Sequence, residues 1–157
     1  MPIDDAQFKL AMSQFASGVT VVTTEHEGAL YGMTVASFAS LSLHPPLVLI
    51  CIEKSVKSHD ALAAAEKFGV SILADDQGEV SGRFASKKIE DKFAGVAWTR
   101  GELGVPLLDG AICTLECRLH NLLPGGDHSI FVGEVVGVRT SEEKPLVYFR
   151  SGYRELA

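Results

Sequence analysis

Residues 111–119, AICTLECRL, alternate along their length. Ala111, Cys113, Leu115, Cys117 and Leu119 are apolar, whereas Thr114, Glu116 and Arg118 are polar. Successive side chains of an extended chain point to opposite faces. The pattern therefore predicts a strand with one buried and one wet face. LLPGGDH then turns the chain, and SIFVGEVVGVRT, residues 129–140, predicts a second long strand. Gly133 and Gly137 inside it imply bends or a close neighbour. A long hairpin of this kind pairs antiparallel, and every other element has to be arranged around it.

The rest of the chain supplies shorter strands and a few helices. Residues 4–16 predict an amphipathic helix, capped by Asp4 or Asp5, with Phe8, Met12 and Phe15 on one face. VTVVTT (19–24) is β-branched throughout and predicts a strand. EHEG turns it into a second strand near Ala29 to Met33. LVLICIE (47–53) is a continuous apolar run, read as a strand buried on both faces. SHDALAAAEKF (58–68) predicts a helix capped by Ser58, followed by the strand FGVSILA. Residues 76–93 predict two short helices broken near Ala85 and Ser86, LGVPLLDG a loop, and LVYFR a last strand ending the sheet. Most long strands can be neighbours without helical crossovers. The fold class is therefore mainly β, an antiparallel barrel with peripheral helices rather than a doubly wound sheet. With 157 residues and no linker or repeat, the expectation is a single domain over 1–157.

Several function classes lose support on composition. The net charge of −6 and scattered Lys and Arg argue against a nucleic-acid partner. LVLICI is far too short to span a bilayer, and MPIDDAQFK lacks a signal peptide's basic start. No membrane association is expected, and a soluble, cytoplasmic location is. Cys51, Cys113 and Cys117 lie in apolar runs and read as core residues. Neither they nor the five histidines show paired metal-ligand spacing, so no metal site is expected. Walker, Rossmann and nucleophile-elbow patterns are absent as well. An enzyme without an evident acid, base or nucleophile leaves its chemistry to a cofactor.

The stretch YGMTVASFASLSLHPPLV, residues 31–48, fits that idea. From Met33 to Leu43 it is uncharged and carries one Thr, three Ser and two Ala. A flat polar heteroaromatic ring must lie close to backbone so that N–H groups reach its edge. Small residues such as Thr34, Ala36, Ser37 and Ser40 permit that approach. An edge strand with a solvated hydroxyl face would look the same.

Four segments in order, FASGVTVVTT, GMTVASFASLSLHPPLVLIC, GDHSIFVGEV and PLVYFRSGY, resemble the short-chain flavin reductases. These are the reductase components of two-component flavin-dependent monooxygenases, in the flavin reductase-like family, and the resemblance runs from about residue 8 to 153. It implies an FMN-binding split barrel, usually a homodimer. Such a protein uses NADH or NADPH to reduce FMN or FAD and passes the reduced flavin to a partner monooxygenase. It places Thr34, Val35, Ala36, Ser37 and Ser40 against the isoalloxazine ring, with Cys51, Ile52 and Glu53 at the ring's edge. Ser55, Ser58 and His59 approach the ribityl chain and phosphate. Phe84 and Ala85 complete the seat, with Arg83 or Lys87 as phosphate cations. His128 lies beside the nicotinamide as the candidate catalytic residue, and Arg150, Ser151, Gly152 and Tyr153 contact the nicotinamide.

Residue by residue, plainer readings stand beside these. Ser58 can simply cap a helix, Phe84 can be core, and Arg83, Lys87 and Lys88 can be a solvated helix face. The segment DKFAGVAW, with Trp98, reads equally as a lid or as packing. The rival functions on this scaffold are a pyridoxamine-phosphate-type oxidase and a non-enzymatic flavin- or haem-binding protein.

Overall fold

The computed structural model describes residues 2–157. In chain order the elements are α1 (Asp5–Met12), β1 (Ser17–Gly18), β2 (Thr20–His26), β3 (Ala29–Val35), β4 (Phe38–Ser42) and β5 (Leu47–Glu53). Then come α2 (Lys57–Ala65), β6 (Lys67–Ile72), α3 (Gly78–Ala85), β7 (Trp98–Arg100), β8 (Pro106–Leu108), β9 (Cys113–Gly125), β10 (His128–Thr140), β11 (Val147–Phe149) and β12 (Gly152–Arg154). Every strand pairing among the described residues is antiparallel.

Seven strands form one sheet in the order β3-β2-β6-β9-β10-β5-β4. Its two edges, β3 and β4, are consecutive in the chain and joined only by Ala36 and Ser37. Seven flat strands would hold their edges about 29 Å apart. The step from Val35 to Phe38 spans at most about 11 Å. The sheet must therefore curl until its edges meet. They meet without pairing to each other, which is a split barrel. The Ser37 carbonyl accepts from Cys51 N–H at 3.2 Å and the Thr20 hydroxyl donates to the Val35 carbonyl at 2.6 Å, pinning the seam on both sides.

The long hairpin comes out as the alternation requires. β9 and β10 pair from His128↔Gly125 to Thr140↔Cys113, around a turn at Gly126 and Asp127. The ladder shifts register at Val132/Gly133 and at Val135/Gly137, so both glycines mark bends, and both have close neighbours. A Cβ on Gly133 would lie 2.6 Å from the Phe68 ring, and one on Gly137 2.9 Å from a Glu116 carboxylate oxygen.

The barrel interior holds Val22, Val35, Val48, Ile50, Ile52, Leu62, Phe68, Val70, Leu115, Cys117 and Phe131. A second cluster, with Val19, Val21, Leu73, Phe84, Phe93, Leu108 and Leu146, lies outside the barrel wall. β2 contributes Val22 to one and Val21 to the other, so it is buried on both faces.

Several expectations are corrected. β5 is buried on one face only, through Val48, Ile50 and Ile52; Leu47, Leu49, Cys51 and Glu53 remain half-exposed. An apolar run does not by itself reveal how many faces are covered. The supposed wet face of β9 is partly roofed: Thr114 and Glu116 are buried, and Glu116 accepts from Leu103 N–H at 2.9 Å. The roof is the β7–β8 hairpin, which replaces the expected loop at LGVPLLDG. α1 stops at Met12, where the Ser13 hydroxyl donates to the Leu10 carbonyl and draws that group out of the helix. Asp4 caps it in a reciprocal arrangement with Gln7, but no residue of α1 is buried. α2 starts at Lys57, so its cap position is Val56, and Ser58 lies inside the helix. A single helix, α3, occupies the 76–93 region. LVYFR does not end the large sheet; β11 pairs with β1 and β12 in a separate three-stranded sheet. No helix among the described residues is long and apolar enough to cross a membrane.

Candidate active site

The seam of the barrel gathers one group of the expected residues. The β3–β4 link lays Ser37 on β5, its hydroxyl donating to the Cys51 carbonyl at 3.0 Å. Ala36, Ser37, Ala39 and Ser40 are exposed. β4 is the last strand of its sheet, so its outer edge carries backbone donors and acceptors with no strand partner. β10 brings its start to the same place: His128 lies opposite Glu53, Ser129 opposite Ile52 and Ile130 opposite Cys51. Residues directly opposite share a face, so His128, Glu53, Cys51 and Ile130 line the outer side, while Ile52 points into the core.

Hydrogen bonds fix the side chains around this end of β5. The Ser55 hydroxyl donates to the Glu53 carboxylate at 3.0 Å. His128 Nδ1 lies 2.6 Å from the Asp127 carboxylate. That bond, and then the charge of His128, hold the Asp127 carboxyl below its usual range. An acceptor at Nδ1 fixes the tautomer and keeps a proton there. His59, from the first turn of α2, lies between Asp60 (Nδ1, 2.9 Å) and the Ser129 hydroxyl (Nε2, 2.8 Å), its ring edge-on to Phe131. The N-terminus of α2 has no side-chain cap; His59 N–H donates to the Val56 carbonyl at 3.1 Å, which leaves the Lys57 and Ser58 amides to an anion.

A second group lies along α3. The Thr34 hydroxyl donates to the Ser81 carbonyl at 2.6 Å, and the Ser81 hydroxyl meets the Tyr153 hydroxyl at 2.6 Å. Arg150 and Ser151 form the turn of the β11–β12 hairpin, and Gly152 opens β12. This group joins the first through three consecutive residues, Thr34, Val35 and Ala36.

Some expected residues are engaged otherwise. Val35 is buried inside the barrel, and Phe84 is fully buried against Phe93. Arg83 donates to the carbonyls of Lys92 (2.7 Å) and Asp91 (2.6 Å), so its guanidinium ties down the loop after α3. Lys92 is drawn into the same loop. Its ammonium donates to the Phe84 carbonyl at 3.0 Å, and burial pushes its pKa down. Ala85 and Lys87 are exposed. Phe93 and Trp98 pack edge-to-face, so DKFAGVAW is packing rather than lid. Sequence reasoning passed over Asp127, Ser129 and Ser81. Their partners are distant in the chain or depend on a turn, and only the DH dipeptide hinted at one of them.

The chemical fit to a flavin rests on the seam. It offers uncharged small side chains, free backbone edges and no bulky obstruction, with an uncapped helix start nearby. A pocket of about 240 Å³ touches it at Ala36 and Phe38 and continues along Ser17, Gly18, Thr20 and Ile72. A larger groove of about 710 Å³, between the β7–β8 hairpin and the far end of β10, holds none of the expected site residues.

Comparison with known proteins agrees with this architecture. The flavin reductase like domain matches residues 12–157. The chain is 40% identical over 154 residues to the reductase subunit of a flavin-dependent monooxygenase from Mycobacterium tuberculosis, covering 96% of this chain and 82% of that protein. It is also 40% identical over 152 residues to the reductase component of a 4-nitrophenol 4-monooxygenase/4-nitrocatechol 2-monooxygenase from Rhodococcus opacus, covering 97% and 81%. Among solved structures, the NADH:FAD oxidoreductase of Streptomyces globisporus, in complex with NAD and FAD fragments, superimposes with a TM-score of 0.94. It is 40% identical, and the match covers 98% of this chain and 93% of that one. The chain belongs to the flavin reductase-like family.

Proposed function

We propose that residues 1–157 form a single flavin reductase-like domain whose hydride-transfer site is the barrel seam. The protein is an NAD(P)H-dependent flavin reductase, a mainly β split barrel that supplies reduced flavin to a monooxygenase. The observation that carries the site assignment is the convergence of an exposed, uncharged link (Ala36, Ser37) with His128 and Cys51 on one side of β5.

In this reading the β3–β4 link and the outer face of β5 seat the flavin ring. Ser55, Ser58 and the Lys57 and Ser58 amides of α2 receive its phosphate, with His59, held by Asp60 and Ser129, beside them and Lys87 as the outlying cation. Bound there, the flavin accepts the hydride that a reduced nicotinamide donates. The chain contributes alignment and hydrogen bonds, not a reacting bond. Asp127 orients the His128 ring, so that its Nε2 faces the nicotinamide. Arg150 to Tyr153 bound the nicotinamide from the hairpin. The exposed apolar side chains of α1 support a homodimer, and a cytoplasmic location belongs to the same reading.

One assay tests the function. Purified protein is given NADH or NADPH with FMN or FAD, and nicotinamide oxidation is followed at 340 nm. Flavin-dependent turnover is expected, and the four combinations identify the preferred donor and acceptor. A folded protein that binds flavin without turnover would be a carrier, and the reductase reading would fall.

A further inference from the structure

We propose that Ser81 is a positioning residue for nicotinamide binding, holding the β11–β12 hairpin against the flavin seat. The inference rests on the placement of the nicotinamide along Arg150 to Tyr153 given above. Ser81 is buried, on the same inward side of α3 as the core residue Phe84. For packing alone an alanine would serve there; a buried hydroxyl requires a partner. Its partner is Tyr153, oxygen to oxygen at 2.6 Å. The carbonyl of the same residue accepts from Thr34 at 2.6 Å. Among the described residues, Ser81 alone bonds both the 34–40 stretch and the hairpin.

The hairpin needs such a tie. Its turn residues, Arg150 and Ser151, both have positive φ, 49° and 59°, although neither is glycine. A conformation of this kind persists only when its surroundings determine it. The tip is held to the end of α1: Arg150 N–H donates to the Ser13 carbonyl at 3.0 Å, and its guanidinium meets the Gln14 side-chain oxygen at 3.0 and 3.1 Å. The far strand is held by Ser81. The Tyr153 ring also lies along Gly78 and packs edge-on against Tyr148. Tyr153 is 43% exposed, so its hydroxyl bond orders a surface ring and adds little to the core.

The test uses Ser81→Ala, Tyr153→Phe and the double variant, with stopped-flow flavin reduction at varied nicotinamide and a separate flavin titration. Each single variant is expected to raise the half-saturating nicotinamide concentration about 3–10-fold, the range of one ordinary hydrogen bond. The limiting rate and the flavin affinity should each change less than about twofold. The double variant should be no worse than the worse single one, because both changes delete the same bond. Unchanged half-saturation in both single variants, multiplying effects in the double one, or an equal loss of flavin affinity would overturn the proposal. If Ser81→Ala does not fold, Tyr153→Phe at its half-exposed position carries the test alone. Tyr153→Ala separates the two levels. If it too leaves half-saturation unchanged, the hairpin is not the nicotinamide seat and both readings fail. A rise there without one in Ser81→Ala and Tyr153→Phe removes the Ser81 role and leaves the seat.

Discussion

His128 has its Nδ1 committed to Asp127 and its strand position fixed opposite Glu53. A ring held from one side presents the other nitrogen to whatever occupies the seam. His128→Ala should keep its fold and bind flavin nearly normally, while catalytic efficiency with the nicotinamide falls about tenfold, or about 1.4 kcal/mol of transition-state stabilisation. Wild-type reduction kinetics would make the residue an ordinary turn histidine. Ser37 is exposed, and its hydroxyl bonds only the Cys51 carbonyl. Ser37→Leu should therefore fold, yet fill the space where a planar ring meets backbone, and weaken flavin binding at least tenfold by fluorescence titration. Cys117 belongs to the core rather than the chemistry. Burial, and then the neighbouring Glu116 charge, push its thiol up to about 12. Below the ordinary thiol value of about 8.5 both native and unfolded chains keep the proton. Between there and 12 only the native thiol keeps it, so stability falls as pH rises, by at most about 1.4 kcal/mol per pH unit. Urea melts at pH 8 to 10.5 should show a shallower loss in Cys117→Ala than in wild type, although that variant starts less stable. Equal slopes would exclude a buried neutral thiol.

At the scale of elements, glycines report where strands and helices press together. Gly133 lies at a register shift of β10, where a Cβ would approach the Phe68 ring to 2.6 Å and the Cys117 Cβ to 2.9 Å. Gly82 in α3 has no atom within 4 Å of that position. Gly133→Ala should cost about 1–3 kcal/mol through overpacking. Gly82→Ala should gain about 0.5–1 kcal/mol through backbone entropy and helix propensity. Denaturant midpoints moving in opposite directions would check both at once. Element types were legible wherever period and turn chemistry agreed, as in β9–β10, or in β2–β3 with its Glu27-Gly28 turn at positive φ. They were not legible where a segment carries no period or turn signal of its own. Nothing local in LGVPLLDG announces β8, because its strand character comes from Trp98–Arg100 alongside it.

The whole molecule exposes an unusual amount of apolar surface at one terminus. Phe8, Leu10, Met12 and Phe15 are 53–81% exposed, and α1 buries nothing in its own chain. An isolated eight-residue helix is marginal in water. In the proposed dimer a second copy would cover α1, and that contact would stabilise the helix. Light scattering should give about twice the chain mass of 16.8 kDa. A monomer at micromolar concentration would exclude this assembly.

The amino-acid sequence determined the long hairpin, the antiparallel class and the neutral small-residue link, because alternation, turn residues and side-chain size are local properties. It also carried the family motifs, which brought Ser37, Cys51 and His128 into consideration before their proximity was visible. Tertiary structure decided which faces those elements cover. β2 rather than β5 is buried twice, Glu116 lies under a hairpin, and Arg83 holds a loop instead of standing free. The reason is physical. A side chain's surroundings are set by segments tens of residues away, and Ser81 acquires its two partners, Thr34 and Tyr153, only when the sheet curls and the last hairpin returns to α3.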